Sequence, residues 1–382
     1  MRPHQEDPRI EPLICAVLRD EKPDWPGAGE GEMVGAFLNR SDHHGVQPLL
    51  LERLTESNWP PFLLRQLRRR ATGQALWEMQ HRQMLNQVLA TLAANEAGPV
   101  LFKGTALAYS LYSSPVLRTR GDTDLIIPPE AMPRADAALL SLGFYREMGV
   151  SGQFVSYQTP YSRNASDGEA HTLDLHWRIN NSQVLARLFT HGELRQQARL
   201  APQLGPDAWI AAPVHALLLA AMHRATHRQN PYYVSDVAHF GGDRLIWLYD
   251  IHLLAGTLDA AQWNELLDMA ELKGLLAVCR EAFELSSADF GTVYPEGVLA
   301  RLKPTGIAEL PAIYLESGNM GQQWMDICAV PGIRDRCRFL IESLFPSGDY
   351  MRHKFPQSRL GWLPWLYARR FFSGVFRRWI RR

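Results

Sequence analysis

The chain of 382 residues is long enough for two or three domains, and its 46% hydrophobic and 21% charged residues exclude an intrinsically disordered protein. The formal net charge is zero, but the 24 residues from 359 to 382 carry seven arginines and no acid. The rest of the chain is therefore mildly acidic, and the basic end predicts an anionic partner, either a membrane surface or a nucleic acid.

The four cysteines are scattered and form no C-x-x-C pair, so neither a zinc site nor a disulfide framework is indicated. The first residues lack the basic and apolar regions of a secretory signal, and no apolar run is long enough to span a bilayer. We therefore expect a cytoplasmic protein. If the basic end binds lipid, we expect peripheral attachment at the inner face of the membrane.

Helical periodicity dominates the first part of the chain. Residues 34–38 and 48–54 form short amphipathic segments, and residues 65–93 form a long run of helix-favouring residues with apolar positions at three and four spacing. Ala97-Gly98 breaks this pattern. The sequence therefore predicts an N-terminal helical region over residues 1–96.

A different pattern follows, in which short apolar strands alternate with helices. Helices are predicted at residues 106–112 and 129–142, the second of which ends at Gly143. The strand candidates are residues 99–102, 122–127, 153–158 and 171–177. This order predicts one compact α/β block over residues 97–180.

The helical period returns after this block. Helices are predicted at residues 213–227, 243–254, 260–285 and 311–345, with loops at residues 231–242 and 286–310. We therefore predict a helical region over residues 181–358, followed by a basic tail over residues 359–382. The predicted fold class is α+β, with a small mixed sheet flanked by N- and C-terminal helical segments.

Two acids at the start of one predicted strand carry the chemistry. Residues i and i+2 of a strand point to the same face, so the carboxylates of Asp122 and Asp124 should lie side by side. Such a pair is costly unless a cation lies between them. Mg²⁺ prefers oxygen ligands and is often held by one or two carboxylates together with substrate phosphates. The pair therefore predicts a Mg²⁺ site, with Mn²⁺ as the other candidate ion.

These acids, the turn at Gly104-Thr105 before them and Asp174 after them resemble the nucleotidyltransferase superfamily. Its pattern is a glycine turn, then Asp-x-Asp, then a third acid on a later strand. The resemblance covers residues 48–285 and extends to a bacterial branch of uncharacterised nucleotidyltransferases, similar to abortive-infection type toxins. The segments that carry it are Lys-Gly-Thr-Ala-Leu from residue 103, Arg-Gly-Asp-Thr-Asp-Leu from residue 120, Asp-Leu-His-Trp from residue 174 and Arg-Leu-Ile-Trp-Leu-Tyr-Asp from residue 244.

The resemblance implies a nucleoside triphosphate (NTP) as substrate and transfer of its nucleoside monophosphate (NMP) to an acceptor hydroxyl. RNA, a protein side chain and a small molecule remain open as acceptors. Asp122, Asp124 and Asp174 would then be the catalytic, metal-binding residues, in a site where two metal ions clamp the attacking and leaving oxygens.

The expected phosphate-binding groups surround the glycine turn. A helix N-terminus attracts anions, so the backbone N–H groups after Gly104 and the Thr105 hydroxyl are expected to meet phosphate oxygens. Lys103, Arg118 and Arg120 are expected to neutralise the β- and γ-phosphates. His176, on the face of Asp174, orients the acid, touches phosphate or packs in the core.

Three features depart from the family pattern. Gly104 stands alone where two small residues are usual, Thr123 replaces the usual apolar residue between the acids, and the gap from Thr105 to Asp122 is long. A catalytically silent nucleotide sensor or scaffold is therefore an alternative function.

Two further patterns concern partners. His223 and His227 lie four residues apart but lack the glutamate of the metalloprotease motif, so packing in the core or in a substrate groove is favoured over zinc.

The tail over residues 359–382 places aromatic residues on one helical face and arginines on the other, as in an interfacial helix on anionic lipid. Docking on the protein body and RNA binding remain open for it. A membrane-peripheral component of a surface-polysaccharide or peptide-modification pathway is thus a third candidate function.

Overall fold

The computed structural model describes residues 8–27, 30–54, 58–150, 152–165, 168–228, 232–234, 237–239, 243–303, 306, 308–356 and 362–370. In this part of the chain, helices surround a seven-stranded mixed sheet, and a two-stranded hairpin lies apart from that sheet. The predicted α+β class is therefore confirmed.

Helices occupy the chain before the sheet, as the periodicity predicts. They are α1 (Ile10–Leu18), α2 (Glu30–His44), α3 (Gln47–Leu54) and α4 (Pro61–Ala94). Pro61 suits the first turn of α4 because that turn needs no intrahelical N–H donor there. The helical segments predicted within α2, α3 and α4 are confirmed.

The large sheet has the strand order β3-β4-β5-β2-β1-β7-β6. Its strands are β1 (Val100–Phe102), β2 (Asp122–Ile126), β3 (Tyr145–Arg146), β4 (Gln158–Asn164), β5 (Ala170–His176), β6 (Arg199–Leu200) and β7 (Trp209–Ile210). At its centre, β2 runs antiparallel to β1 and parallel to β5. Because β6 and β7 follow residue 180, the sheet extends past the predicted α/β block. The division at residues 96, 180 and 358 stays a prediction.

One predicted strand is displaced. The sequence places a strand at residues 153–158, whereas β4 begins at Gln158. Two earlier N–H groups bond to side chains: Phe154 N–H donates to Glu342 at 2.9 Å, and Tyr157 N–H donates to Asn181 at 2.7 Å. Most of the predicted strand is therefore the loop that leads into β4.

Helices cover both the sheet and the chain that follows it. They are α5 (Lys103–Leu111), α6 (Met132–Ser141), α7 (His191–Gln196), α8 (Pro213–Arg228), α9 (Leu245–Ala255), α10 (Ala260–Lys273), α11 (Leu276–Phe290), α12 (Val298–Arg301), α13 (Leu310–Glu316), α14 (Asn319–Ala329), α15 (Ile333–Leu344) and α16 (Gly348–Lys354). The helix predicted at residues 260–285 is two helices, because Gly274 adopts a φ of 65° and ends α10. The predicted loop at 231–242 contains the hairpin of β8 (Tyr232–Val234) and β9 (Val237–His239).

Two apolar cores hold these layers together. One packs α4, α5 and α6 against the sheet through residues such as Leu85, Leu125 and Leu173. The other joins the N-terminal helices to the helices after the sheet, for example through Phe37 and Leu218. Among the described helices, none combines the length and apolar content needed to cross a bilayer. In the predicted tail, residues 363–370 are helical, and residues 359–361 and 371–382 lie outside the described residues.

Candidate active site

The strand register brings the two acidic segments of the sequence together. Asp124 of β2 lies directly opposite Asp174 of β5, and Asp122 lies opposite Thr172. Asp122 and Asp124 share one face of β2 because they are two residues apart. Three carboxylates therefore gather at the centre of the sheet, where Asp124 is buried and Asp122 is open to solvent.

Asp124 is held in its ionised form by two neighbours. The Lys103 ammonium lies 2.6 Å from Asp124 Oδ1, and His176 Nε2 lies 2.8 Å from the same oxygen. Burial acts to raise the pKa of Asp124, but the charge of Lys103 and the hydrogen bond from His176 outweigh it. The pKa of Asp124 is therefore below its ordinary value.

The pKa values of Asp174 and Asp122 are raised, in contrast to that of Asp124. Burial, followed by the charge of Asp124, raises the pKa of Asp174 to about 7. The same two causes raise the pKa of Asp122 to about 6, although this carboxylate keeps access to solvent. The neighbouring carboxylates therefore oppose full ionisation of Asp174 at neutral pH, and a further positive charge beside them would favour it.

A divalent cation would supply that charge. One ligand atom each from Asp124, Asp174 and His176 lies within 4.8 Å of the others. Carboxylate oxygens suit Mg²⁺ and Mn²⁺, and imidazole nitrogen suits transition metals. The donor set therefore fits a divalent metal. It differs from the predicted set by one residue, since His176 belongs to this described group and Asp122 does not.

Lys103 is placed by an unusual backbone conformation. Its φ of 59° lies in the left-handed region, where a residue with a side chain costs about 1–3 kcal/mol. Glycine would relieve this strain but would remove the ammonium group beside Asp124. The ammonium also lies 4.7 Å from the centre of the Phe102 ring. The strain thus indicates that the lysine charge matters at this position.

The glycine turn leads directly from β1 into α5. None of the described side chains caps the start of α5, so the backbone N–H groups that follow Gly104 keep their capacity to bind an anion. A Cβ atom on Gly104 would lie 3.4 Å from Arg118 Nη1. The missing side chain therefore lets the Arg118 guanidinium pack against the turn.

A buried network of polar side chains contacts β2 on the face opposite to Asp122 and Asp124. Thr123 Oγ1 lies 2.8 Å from Thr105 Oγ1 and 2.7 Å from His81 Nε2. Arg120 Nε donates to Thr105 Oγ1 at 2.9 Å, and Arg120 Nη2 lies 2.8 Å from Glu78. Thr123, which departs from the apolar residue expected between the acids, is therefore a hydrogen-bonded anchor for the strand.

The family of this chain agrees with the geometry. A family model described as an uncharacterised nucleotidyltransferase matches residues 31–291, which is more than half of the chain. The chain belongs to this nucleotidyltransferase family. Membership supports a transferase activity and implies an NTP substrate. The matched residues contain the three acids, the glycine turn and the buried network. No curated protein matches the chain significantly.

Four side chains that the sequence suggested for phosphate binding are buried in this nucleotidyltransferase. The Thr105 hydroxyl is fully buried in the network behind β2. The side chains of Arg118 and Arg120 are 7% and 2% exposed, and Arg118 Nη2 lies 2.6 Å from Asp250 of α9. His176 is 1% exposed and contacts Asp124. These four side chains therefore contact protein groups rather than open solvent, whereas Lys103 and Gly104 lie at the edge of the acid cluster.

Sequence reasoning missed the residue that orients the third acid. Gln158 Nε2 donates to Asp174 Oδ2 at 2.7 Å, and Asn181 Nδ2 donates to Gln158 Oε1 at 3.1 Å. Gln158 lies opposite His176 in the pairing of β4 with β5. No sequence motif marks Gln158, and only the pairing of β4 with β5 shows that its side chain reaches Asp174.

Helices α8 and α9 place three rings beside the acid cluster. His223 and His227 have ring centroids 4.4 Å apart, and Trp247 lies 5.3 Å and 5.8 Å from them. Burial lowers the pKa of both histidines, that of His227 to about 4, and the charges of Lys103 and Asp124 also act on them. Both are therefore neutral imidazoles near the site at pH 7, and both retain partial exposure.

The substitution Thr123→Val tests the buried network. We expect it to lower the free energy of unfolding by about 1–3 kcal/mol, because His81 and Thr105 lose a buried hydrogen-bond partner while the side-chain volume stays nearly constant. Urea unfolding measures the change. Thr72→Val is the matched control, since Thr72 is exposed and bonds its own helix, and we expect less than about 0.5 kcal/mol there. Equal effects of the two substitutions would contradict the anchoring role.

Proposed function

We propose that this protein transfers an NMP from an NTP to an acceptor hydroxyl, with Mg²⁺ or Mn²⁺ as its metal. The observation that carries the proposal is the convergence of Asp124, Asp174 and His176 beside the uncapped start of α5. These three residues would hold one divalent ion. Asp122, on the same face and open to solvent, would contribute to a second ion on the side of the triphosphate.

The bound ions would neutralise charge on the triphosphate. The chain supplies the remaining chemistry. Backbone N–H groups at the start of α5 bind phosphate oxygens, and the Lys103 ammonium adds a positive charge beside them. The Lys103 ammonium also keeps Asp124 ionised and fixed in position, whereas His176 would exchange its contact with Asp124 for the ion.

Asp174 is suited to move the proton of the acceptor. Burial and the charge of Asp124 raise its pKa to about 7 in the metal-free site, and the positive charge of a bound divalent cation would lower it again, so Asp174 would be an ionised base at neutral pH. Asp174 Oδ2 accepts a hydrogen bond from Gln158, which fixes the orientation of the carboxylate that takes the proton of the acceptor hydroxyl. Gln158 is thus a positioning residue for the base.

We assign Thr105, Arg118 and Arg120 to support of the site. Arg118 pairs with Asp250, packs against the Gly104 turn and ties it to α9. Arg120 and Thr105 hold β2 through the buried network. Their contribution to transfer is therefore the fixed position of the glycine turn and of the acids.

The test uses each of four NTPs labelled at the α-phosphate, together with the RNA, protein and small-molecule fractions of a cell lysate. Transfer predicts pyrophosphate release and covalent label in one fraction. Heat-treated protein provides the background. NTP binding without pyrophosphate release in any fraction would contradict transfer and favour the alternative, a catalytically silent nucleotide sensor or scaffold.

The ring cluster of His223, His227 and Trp247 is a candidate contact for the nucleobase or the acceptor. Stacking of a base on an aromatic side chain contributes about 1–3 kcal/mol. We therefore expect His223→Ala to raise KM for the NTP or the acceptor roughly tenfold or more, with a smaller change in kcat. His353→Ala on α16 is the control, since His353 is exposed. Unchanged KM values for both substrates would contradict this assignment.

A further inference from the structure

Helix α15 is oriented with its apolar side outward. Ile333, Ile341 and Leu344 are 79%, 59% and 51% exposed. Their spacing, with Cys337 and Leu340 between them, places all five residues on one face of the helix. This orientation is the reverse of that expected for a surface helix, whose apolar stripe normally faces the core.

The polar side of α15 contacts the protein body instead. The Glu342 side chain is 15% exposed, and its Oε2 accepts a hydrogen bond from Phe154 N–H at 2.9 Å. A carboxylate anchored to the backbone of the body fixes the rotation of the helix. The outward direction of the apolar stripe is therefore specified by this contact.

Helix α14 contacts α15 and also exposes apolar side chains, although its Met325 packs against the core. Met320 and Trp324 are 71% and 67% exposed, whereas Asp326 faces the body. Asp326 accepts hydrogen bonds from Ser182 Oγ at 3.0 Å and Gln183 N–H at 2.8 Å. Together the two helices present what we term the outer apolar face: Met320, Trp324, Cys328, Ile333, Cys337, Leu340, Ile341 and Leu344. Large apolar patches of this kind mark interaction sites.

A basic segment is attached to one end of this face. The helix at residues 363–370 packs beside the end of α15, since Arg370 Nη1 donates to Ser343 C=O at 2.8 Å and Tyr367 OH donates to Pro346 C=O at 2.8 Å. Trp362 and Trp365 are 63% and 49% exposed. No acid follows Asp349 in the sequence. We term the described residues 352–356 and 362–370 the basic segment, and its arginine and lysine residues are Arg352, Lys354, Arg369 and Arg370.

We propose that the outer apolar face and the adjoining basic segment form one docking surface for an anionic lipid bilayer. Segments that lie in the membrane interface typically combine an apolar face with exposed tryptophan and arginine residues. A second copy of the chain on this face would bring two basic segments together, whereas lipid phosphates complement their charge. The protein would then lie on the bilayer through α14, α15 and the basic segment.

The test measures co-sedimentation of the full-length protein with phosphatidylcholine vesicles that contain or lack phosphatidylglycerol. We expect binding to the anionic vesicles and release at high salt. The double variant Trp324→Glu/Ile341→Glu should lower the partition coefficient at least tenfold, as expected when apolar burial and charge attraction are both weakened. The control Leu272→Glu/Val293→Glu changes residues that are 82% and 87% exposed outside the docking surface, and it should bind as the native protein does. Circular dichroism verifies that each variant is folded.

Two thiols report on the same surface in the native chain. Cys328 and Cys337 are exposed, and both belong to the outer apolar face, whereas Cys15 and Cys279 are buried. Anionic vesicles should slow the reaction of maleimide with both exposed thiols at least tenfold.

Three results would overturn the proposal. The first is equal partitioning of the native protein and the double variant. The second is loss of self-association in the double variant with unchanged vesicle binding, which would identify a contact between two copies of the chain. The third is vesicle binding that depends on residues 371–382 while both exposed thiols keep reacting, which would assign the lipid contact to the tail without the helices.

Discussion

The Asp124→Asn variant should lose NMP transfer by at least about 10²–10³-fold, the loss found when one preorganised electrostatic group is removed from an active site. Asp124 is the acid that contacts both Lys103 and His176, and it lies opposite Asp174 in the sheet. Asparagine keeps the shape and one acceptor oxygen but removes the negative charge. The site then loses both a ligand for the metal and the partner that fixes Lys103.

A pyrophosphate-release assay measures this effect, with circular dichroism to verify the fold. Asp268→Asn is the matched control, because Asp268 is a surface acid, 71% exposed, that pairs with Arg301 on α12. It should keep the activity of the native protein. Transfer by Asp124→Asn at the rate of the control would remove Asp124 from the mechanism.

The Asp174→Asn variant should be inactive and yet more stable than the native protein when metal is removed. Burial and the neighbouring acids raise the pKa of Asp174 from 3.8 to about 7. The native state therefore binds more protons than the unfolded state between about pH 4 and pH 7. Stability of the metal-free protein consequently falls as the pH rises through this window, because the carboxylate must ionise in an unfavourable place.

Replacing Asp174 with a neutral amide removes that penalty. At about 1.4 kcal/mol for each pKa unit, we expect a gain in the free energy of unfolding on the order of 1–4 kcal/mol at pH 8. Urea unfolding in the presence of a chelator measures this gain. Saturating Mg²⁺ should shrink the difference between the two proteins, because the ion binds and stabilises the protein that has Asp174 and not the Asp174→Asn variant.

The Asp136→Asn variant is a control in which the free energy of unfolding should change in the opposite direction. The hydrogen bond from Arg146 holds the pKa of Asp136 below its ordinary value, so its charge stabilises the fold above about pH 4. Its replacement should destabilise the protein at pH 8. If Asp174→Asn and Asp136→Asn both lose stability in the metal-free state, the ionised carboxylate of Asp174 does not destabilise the fold, and the prediction is wrong.

The parts of the site that sequence could predict are those fixed by local pattern. The Asp-x-Asp pair was found because it opens a short apolar strand, the glycine turn because it follows another, and Asp174 because it alternates with apolar residues within a third. Strand geometry fixes which of these side chains share a face. The long helix α4 and the strands β1, β2 and β5 follow from the same periodicity.

The parts that sequence could not predict depend on contacts between distant segments. Arg118 and Arg120 were expected to neutralise the phosphates, and that role stays a prediction. Their partners, Asp250 and Glu78, come from α9 and α4, and no motif connects these positions. The outward rotation of α15 was likewise hidden, because the sequence pattern shows an apolar stripe without showing which side meets the core.

The central claim is that the acid cluster binds a divalent metal together with an NTP, and titration calorimetry tests it most directly. The four NTPs would each be titrated into native protein and Asp124→Asn, with Mg²⁺ and with chelator. The account predicts binding of at least one NTP to the native protein with Mg²⁺, and loss of that binding both with chelator and in Asp124→Asn. NTP binding of equal strength under all these conditions, or no binding of any NTP with Mg²⁺, would contradict it.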